Sequence, residues 1–321
     1  MIRCILTGVC AGTAVACSGP GPAAQQASPP AEIAAVVDSA RVLSDLQFLS
    51  SPALEGRRAG SQGNDAARAY IESELMQASV ETFAGGWSHP FEVGSGDGTI
   101  QGENVLGVVR GTTRPGRYIV VSAHYDHLGR SADEIYHGAD DNASGTAALL
   151  EIARQLTLDP PRNSVVLAAL DAEEMGLQGA RAFLEDSIVP LDSIVLNVNM
   201  DMVGRNEAGE IYVAGTYHYP FLNEYVESVA AGSGLRVLRG HDRPDLSAGD
   251  DWTMASDHGP FHAAGIPFAY FGVEDHADYH QPTDTFERID PAFFVEAVRM
   301  ILAFVREVDG AADQIAEAAG R

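Results

Sequence analysis

Histidine and acidic residues recur in short polar segments, and most of these segments directly follow an apolar run. The first is HYDHLG, in which His124 and Asp126 lie two residues apart. Residues at that spacing on an extended chain point to the same side, so Asp126 could accept a proton from His124 and direct its ring toward a metal ion. On this segment alone, a metal site and an ordinary His–Asp pair on the surface fit the residues equally well.

Two further segments carry adjacent acids ahead of a predicted helix. Asp140 and Asp141 lie in GADDNASG, and Glu173 and Glu174 lie in LDAEEMG. Acids at the start of a helix could also act as caps or interact with the helix dipole, although a cap does not account for two acids in succession. Of two adjacent glutamates, one can bind a metal while its neighbour transfers protons.

Two last segments complete a set of candidate metal ligands. Asp201, in NVNMDMVGR, ends an apolar run, where a charge is costly unless a partner such as a metal ion compensates it. HADYHQPTDT contributes two histidines in a predicted loop, and we take His280 as the ligand and His276 as incidental. Carboxylates and imidazoles without sulfur suit zinc in a hydrolytic site, and this inventory suffices for two ions about 3.5–4 Å apart.

The composition excludes several other chemistries. All 20 basic residues are Arg, so mechanisms that need a Schiff-base, phosphate-binding or Ser-activating Lys are excluded. The three cysteines, Cys4, Cys10 and Cys17, lie near the amino terminus, so the body of the protein has no disulfide, cysteine–zinc site or cysteine nucleophile. The net charge of -25 argues against nucleic acid and anionic membranes as partners.

Strands and helices must alternate to position these segments. Short apolar runs predict strands, and apolar residues at helical spacing predict helices between several of them. This alternation indicates an α/β fold, a three-layer sandwich with a central, mostly parallel mixed β-sheet flanked by helices. Reactive groups of such sheets gather beyond the carboxyl ends of the strands. The predicted strands are 105–109, 118–123, 165–170, 194–198, 211–214 and 267–271, and the predicted helices are 36–50, 65–79, 146–156, 177–184, 221–231 and 291–308.

The amino terminus is predicted to direct export from a bacterial cell. Residues 1–16 contain one Arg, then an apolar run, then small residues, which is the layout of a signal peptide. AVAC at 14–17 is similar to a lipobox, so we expect a periplasmic or outer-membrane lipoprotein held to the membrane only through a lipid on Cys17. Plain secretion is the alternative. Residues 17–34 predict a flexible linker and residues 35–321 one catalytic domain.

From Asp45 to Thr285, these segments and their order resemble the M28 family of zinc peptidases, in particular its bacterial leucyl-aminopeptidase-like group. LEGR at 54–57, followed by AGSQGN, is also similar to the leading segment of that family. The resemblance implies an aminopeptidase that holds two Zn2+ per chain and bridges them with Asp141. Asp140 is the fallback, because the adjacent pair makes the register ambiguous. The implied zinc ligands are His124, Asp141, Glu174, Asp201 and His280.

The resemblance also implies how the residues around the metal ions act. Glu173 would be the general base, Asp126 would support His124, and Tyr279 would donate a hydrogen bond to the oxyanion. A cis peptide bond would follow the bridging Asp, and Asp257 and His258 in SDHGPF would be structural or would support the metal ligands from behind. The expected substrates are peptides with a free amino terminus. Carboxypeptidases, dipeptidases and glutaminyl cyclases on the same scaffold are the alternatives, together with a non-catalytic binding module.

Overall fold

A nine-stranded mixed sheet with helices on both faces forms the body of the protein in this computed structural model, which describes residues 1, 8, 36–83, 85–94, 98–247 and 249–321. The predicted signal peptide, the lipidated cysteine and the linker lie almost wholly outside the described residues and stay predictions. Within the described ranges, no helix combines the length and the apolar character that crossing a membrane requires.

The sheet is parallel at its centre, and an antiparallel pairing flanks the centre on each side. Its strands are β1 (Glu81–Thr82), β2 (Ser88–Val93), β3 (Ile100–Val109), β4 (Arg114–His124), β7 (Asn163–Leu170), β8 (Ile194–Met200), β9 (Glu210–Ala214), β10 (Arg236–Arg239) and β11 (Phe268–Gly272). They lie in the order β1-β3-β7-β4-β8-β11-β9-β10, with β2 also paired to β3. Strands β7, β4, β8 and β11 run parallel, whereas β3 is antiparallel to β7 and β9 is antiparallel to β11. A separate hairpin pairs β5 (Gly129–Ser131) with β6 (Glu134–Tyr136).

Helices bury both faces of the sheet. They are α1 (Ser39–Leu49), α2 (Gln62–Gln77), α3 (Gly145–Leu158), α4 (Gln178–Glu185), α5 (Asn223–Gly232), α6 (His258–Ala263), α7 (Pro291–Gly310) and α8 (Ala312–Ala318). Successive side chains of a strand point to opposite faces, so β4 supplies Ile119 and Val121 to one core and Val120 to the other. Helices α1, α2, α3 and α7 pack on the first core, and α4 and α6 pack on the second.

Side-chain caps explain where several helices begin. The side chain of Asp38 accepts a hydrogen bond from the backbone of α1, and Ser61 does the same for α2. Asp290 accepts from two backbone N–H groups of α7, and Pro291 occupies the first helical position, where no N–H is needed.

The predicted α/β fold is confirmed. Every predicted strand and helix is present, with ends shifted by up to five residues. The sequence patterns missed β1, β2, β5, β6, β10, α6 and α8, which are two to seven residues long. Segments this short complete too few periods for hydrophobic spacing to distinguish them from loops.

Candidate metal centre

The predicted site residues converge beyond the carboxyl ends of the central strands. His124 is the last residue of β4, Asp201 directly follows β8, and Glu173 and Glu174 lie just after β7. His280 belongs to the loop that follows β11. Because these four strands are parallel neighbours, segments far apart in sequence meet at one edge of the sheet.

One group of possible metal ligands consists of His124, Asp141 and Asp201. Nε2 of His124 lies 3.4 Å from Oδ1 of Asp141 and 3.3 Å from Oδ1 of Asp201. Ligand atoms about 2.0–2.1 Å from a tetrahedral zinc ion are roughly 3.3–3.4 Å from one another. These separations therefore match the edges of a zinc coordination tetrahedron.

A second group surrounds the other oxygen of Asp141. Oδ2 of Asp141 lies 3.0 Å from Nε2 of His280 and 3.7 Å from Nδ1 of His127. Nε2 of His280 is also 3.4 Å from Oε2 of Glu174. Each carboxylate oxygen of Asp141 thus faces a different group, which is the placement that a carboxylate bridging two metal ions needs.

His127 is the residue of this site that the sequence analysis missed. It belongs to the second set of clustered ligand atoms, with Asp141 and Glu174, and its Nδ1 lies 2.8 Å from Oε1 of Glu174. The signal was present in HYDHLG, where a second His follows His124 by three residues.

The two adjacent aspartates have different surroundings. Oδ1 of Asp140 accepts a hydrogen bond from the backbone of Gly204 at 2.6 Å, and Oδ2 lies 3.0 Å from Nε2 of His276. Asp140 is therefore turned away from both ligand groups, whereas Asp141 lies between them. His276, taken as incidental, contacts the turn that carries Asp141. The peptide bond between Asp141 and Asn142 is cis, as the resemblance implied.

Asp126 differs from its expected arrangement. Its carboxylate accepts hydrogen bonds from the backbone N–H groups of Glu173 and Glu174, at 3.0 Å and 3.4 Å. The carboxylate lies 3.6 Å from Nδ1 of His124, too far for a hydrogen bond, and the backbone carbonyl of Asp126 lies nearer at 3.2 Å. Strand β4 ends at His124, so the two residues do not share the extended geometry that the prediction assumed.

The two glutamates meet opposite electrostatic surroundings. Burial raises the pKa of the Glu173 carboxyl well above its ordinary value, and the nearby charge of Asp201 acts in the same direction. Burial also favours protonation of Glu174, but hydrogen bonds with His127 and His280 outweigh it and lower its pKa. A pair of carboxyls with pKa values driven apart suits one proton carrier and one permanent anion.

The carboxylates and imidazoles fit divalent cations as a donor set. Asp141, Glu174 and Asp201 place three carboxylates in one cleft, and no Arg of the described ranges forms an ion pair with them. Clustered carboxylates repel one another unless cations compensate their charge. Oxygen and nitrogen donors without sulfur are the ligands of hydrolytic zinc sites.

A narrow cleft of about 80 Å³ opens onto these residues. The ring of Tyr279, which lines it, stacks on His280 with centroids 3.9 Å apart. Trp252 and Ala255 also line the cleft. A larger hollow of about 440 Å³ near α1, α2 and α3 has no His among its described lining residues, so size alone does not locate the site.

Arg57 fixes the two loops that carry ligands. The guanidinium is buried and donates to the carbonyl of Tyr125 at 2.8 Å and to those of His137 and Gly138 at 2.8 Å and 2.9 Å. It also bonds the carbonyl of Leu49. Burial lowers its pKa to about 10, which leaves the group charged at neutral pH. A guanidinium with several fixed donors can join separate backbone segments in this way.

Asp257 and His258 lie beneath the site and are fully buried. Neither oxygen of the Asp257 carboxyl has a hydrogen-bond partner among the described residues, and burial raises its pKa to about 8. His258 contacts the carbonyl of Trp252 through Nε2 at 2.7 Å, and burial lowers its pKa to about 3. Both side chains are therefore mainly neutral between about pH 3 and about pH 8.

The family model of peptidase family M28 matches residues 104–305, more than half of the chain. The chain belongs to this family of peptidases. It is 33% identical over 215 residues to aminopeptidase YwaD of Bacillus subtilis (strain 168), an alignment that covers 64% of this chain and 44% of that protein. The chain spans about half or less of the length of the curated relatives it matches.

Solved structures share the fold of this chain. A zinc aminopeptidase from Bacillus subtilis superposes with a TM-score of 0.69 and 20% identity, over 85% of this chain and 96% of that one. A glutaminyl cyclase from Porphyromonas gingivalis gives a TM-score of 0.70 and 20% identity, over 85% of this chain and 99% of that one. One scaffold thus serves a hydrolase and a cyclase, and the site must decide the reaction.

Proposed function

We propose that this protein is an aminopeptidase that hydrolyses peptides at a pair of zinc ions. The observation that carries the proposal is the position of Asp141, whose two oxygens face two separate groups of possible ligands. His124 and Asp201 would complete one site, and Glu174 and His280 would complete the other. The name of the Bacillus relative and the zinc named in the solved structure support this metal and this reaction.

The residues around the metal pair suggest how the reaction proceeds. When bound, the zinc pair would lower the pKa of a water molecule and polarise the scissile carbonyl. Glu173, whose half-buried side chain lines the cleft and whose carboxyl has a raised pKa, would accept the proton of the attacking water. It would then transfer that proton to the leaving amine. Tyr279 would donate a hydrogen bond to the oxyanion from the wall of the cleft.

Two features favour a substrate with a free amino terminus. The cleft is narrow and lined by carboxylates, including those of Glu173, Glu174 and Asp275, which suit an ammonium group. Among the residues that the structure describes, no Arg lines the cleft that could bind the carboxylate of a peptide carboxyl terminus. These features favour an aminopeptidase over a carboxypeptidase. The presence of Asp141, Glu174 and Asp201 together favours a two-metal hydrolase over a one-zinc cyclase.

A panel of substrates tests the reaction. Aminoacyl p-nitroanilides, their N-acetylated forms and dipeptides with free or amidated carboxyl termini would be compared with and without a chelator. We expect cleavage only of substrates with a free amino group, loss of activity with the chelator, and recovery on adding zinc. Cleavage of blocked peptides alone would redirect the assignment to a carboxypeptidase or an endopeptidase. Cyclisation of N-terminal glutamine without hydrolysis would redirect it to a cyclase.

We also propose that the protein is exported and tethered by a lipid on Cys17. The signal-like segment 1–16 and the AVAC sequence at 14–17 support this location. Peptides outside the cytoplasm would then be its substrates.

A further inference from the structure

His127 is a buried histidine that none of the roles above uses. Its side chain has no solvent exposure, and its Nδ1 lies 2.8 Å from Oε1 of Glu174. Gly138 makes room for the ring, because a Cβ atom at that position would come within 2.6 Å of two of its carbons. The ring of His127 therefore fills the space that the absence of a side chain at Gly138 leaves beside the second group of ligands.

The two oxygens of Glu174 lie near different histidines, at different distances. Two ligands of one tetrahedral zinc ion are roughly 3.3–3.4 Å apart, as His280 and Glu174 are at 3.4 Å. His127 and Glu174 are closer, at the 2.8 Å typical of a charge-assisted hydrogen bond. His127 and His280 also approach different oxygens of Glu174, Oε1 and Oε2. Oε1 of Glu174 thus contacts His127, while Oε2 faces His280.

The other ring nitrogen supports the same arrangement. Nε2 of His127 is buried and has no hydrogen-bond partner among the described residues. An ionised carboxylate only accepts hydrogen bonds, so Nδ1 must carry the proton that Glu174 receives. A second proton on Nε2 would leave a buried donor unpaired, which is costly. The ring thus makes one directed bond, to Glu174.

We propose that His127 is a positioning residue that holds Glu174 with Oε1 bonded and Oε2 free to bind the second zinc ion. The proposal rests on the proposed two-zinc site. The carboxylate of Asp126 also accepts a hydrogen bond from the backbone N–H of Glu174. Together these contacts set both the backbone and the side chain of Glu174, so that little freedom is lost when metal binds.

Zinc binding by variants tests this role. Zinc content and affinity would be measured by metal analysis and chelator competition for wild type, His127→Phe and His127→Asn. Loss of an outer contact typically weakens metal binding about 10–100-fold. We expect His127→Phe to bind two zinc ions at saturation, with the weaker affinity reduced by that factor. His127→Asn should recover part of the loss, because its amide can still donate to Oε1.

A matched control separates this effect from the loss of any buried histidine. His89 on β2 is also buried and lies 3.0 Å from a carboxylate oxygen of Asp186. His89→Phe should leave both zinc affinities unchanged. The positioning role is refuted if His127→Phe binds both ions as tightly as wild type, or if neither His127 variant binds a second ion at saturating zinc. Wild type that binds fewer than two ions would instead refute the two-zinc site itself.

A spectroscopic measurement on the wild type does not depend on the variants folding. In long-range ¹H–¹⁵N spectra of the zinc-loaded protein, assigned against His127→Asn, His127 should carry its proton on Nδ1. If His127→Asn does not fold, selective labelling with the remaining histidines replaced one at a time provides the assignment. An Nδ1 without a proton, as a metal-bound nitrogen would be, contradicts the proposal.

Discussion

Glu173 and Glu174 adjoin in the chain, yet their carboxyls differ in what surrounds them. Glu174 is held by histidines that stabilise its ionised form, whereas burial favours the protonated form of Glu173. At the scale of single residues, this difference supports the proposed roles, in which Glu173 transfers the proton and Glu174 binds the metal.

Substitution of Glu173 by Gln tests that division. The amide keeps the shape of the side chain but cannot accept a proton from water. We expect turnover to fall by about 10²–10⁴-fold, the usual contribution of a general base. Zinc content should stay at the wild-type level, whereas Glu174→Gln should lose zinc. Near-normal turnover of Glu173→Gln would assign the base to another residue.

A second prediction at this scale concerns His258. Its pKa is about 3 in the folded protein, below the ordinary value of 6.5, so the fold favours the neutral ring. The preference for the neutral ring contributes fully to the free energy of unfolding above about pH 6.5. Up to about 5 kcal/mol of this contribution is lost as the pH falls toward 3. Urea unfolding of the metal-free protein should show a steeper loss of stability between pH 7 and 4 in wild type than in His258→Gln. Parallel pH profiles would contradict this.

Most residues of the site lie in loops rather than in helices or strands. Such loops keep their positions through bonds to other parts of the protein. The segments after β4 and before α3 both bond to the single guanidinium of Arg57. At the scale of elements, Arg57 therefore determines the separation of the segments that hold His124 and Asp141. Its motif LEGR is remote from both in sequence.

Substitution of Arg57 by Lys keeps the charge but removes the fixed set of donors. At least one of the four carbonyls would be left without its bond, at a cost of about 1.5–3 kcal/mol each. We expect the free energy of unfolding to fall by about 2–4 kcal/mol and zinc affinity to fall with it. Its exposed neighbour provides the control, since Arg58→Lys should change stability by less than about 0.5 kcal/mol. Equal stabilities of the two variants would contradict the role of Arg57 in holding these loops.

The whole molecule carries a large excess of negative charge. The acidic residues behind a net charge of -25 repel one another in the compact state. The five carboxyl groups that line the cleft add to this repulsion when no metal is bound. Salt screens such repulsion. The thermal midpoint of the metal-free protein should therefore rise between about 10 mM and 0.5 M NaCl, with a Debye length that shortens from about 30 Å to below 8 Å. A midpoint that falls over this range would show that attractive ion pairs dominate instead.

The proposed membrane tether is also a property of the whole chain. In a bacterial host, the full-length protein should incorporate labelled fatty acid and sediment with membranes, because a lipid on Cys17 provides the anchor. Cys17→Ala should lose the label and appear in soluble fractions. Cys10→Ala is the matched control and should behave as wild type. Unlabelled, soluble wild type would favour plain secretion.

The sequence by itself determined the fold class and the residues that converge. Long apolar runs and helical spacing identify every major element, because burial on both faces of a sheet forces those patterns. The polar segments follow strands in order, so the rule for open α/β sheets brings His124, Asp201 and His280 to one edge. Their roles in binding zinc stay predictions.

Only the tertiary structure decided which atoms face one another. It turns Asp141 toward both groups and Asp140 away, directs the Asp126 carboxylate to the glutamate backbone, and adds His127. These outcomes depend on turn geometry and on contacts between segments that are distant in the chain. Spacing in a sequence restricts the direction of a side chain only where the backbone is regular, and at this site the regular strands have already ended.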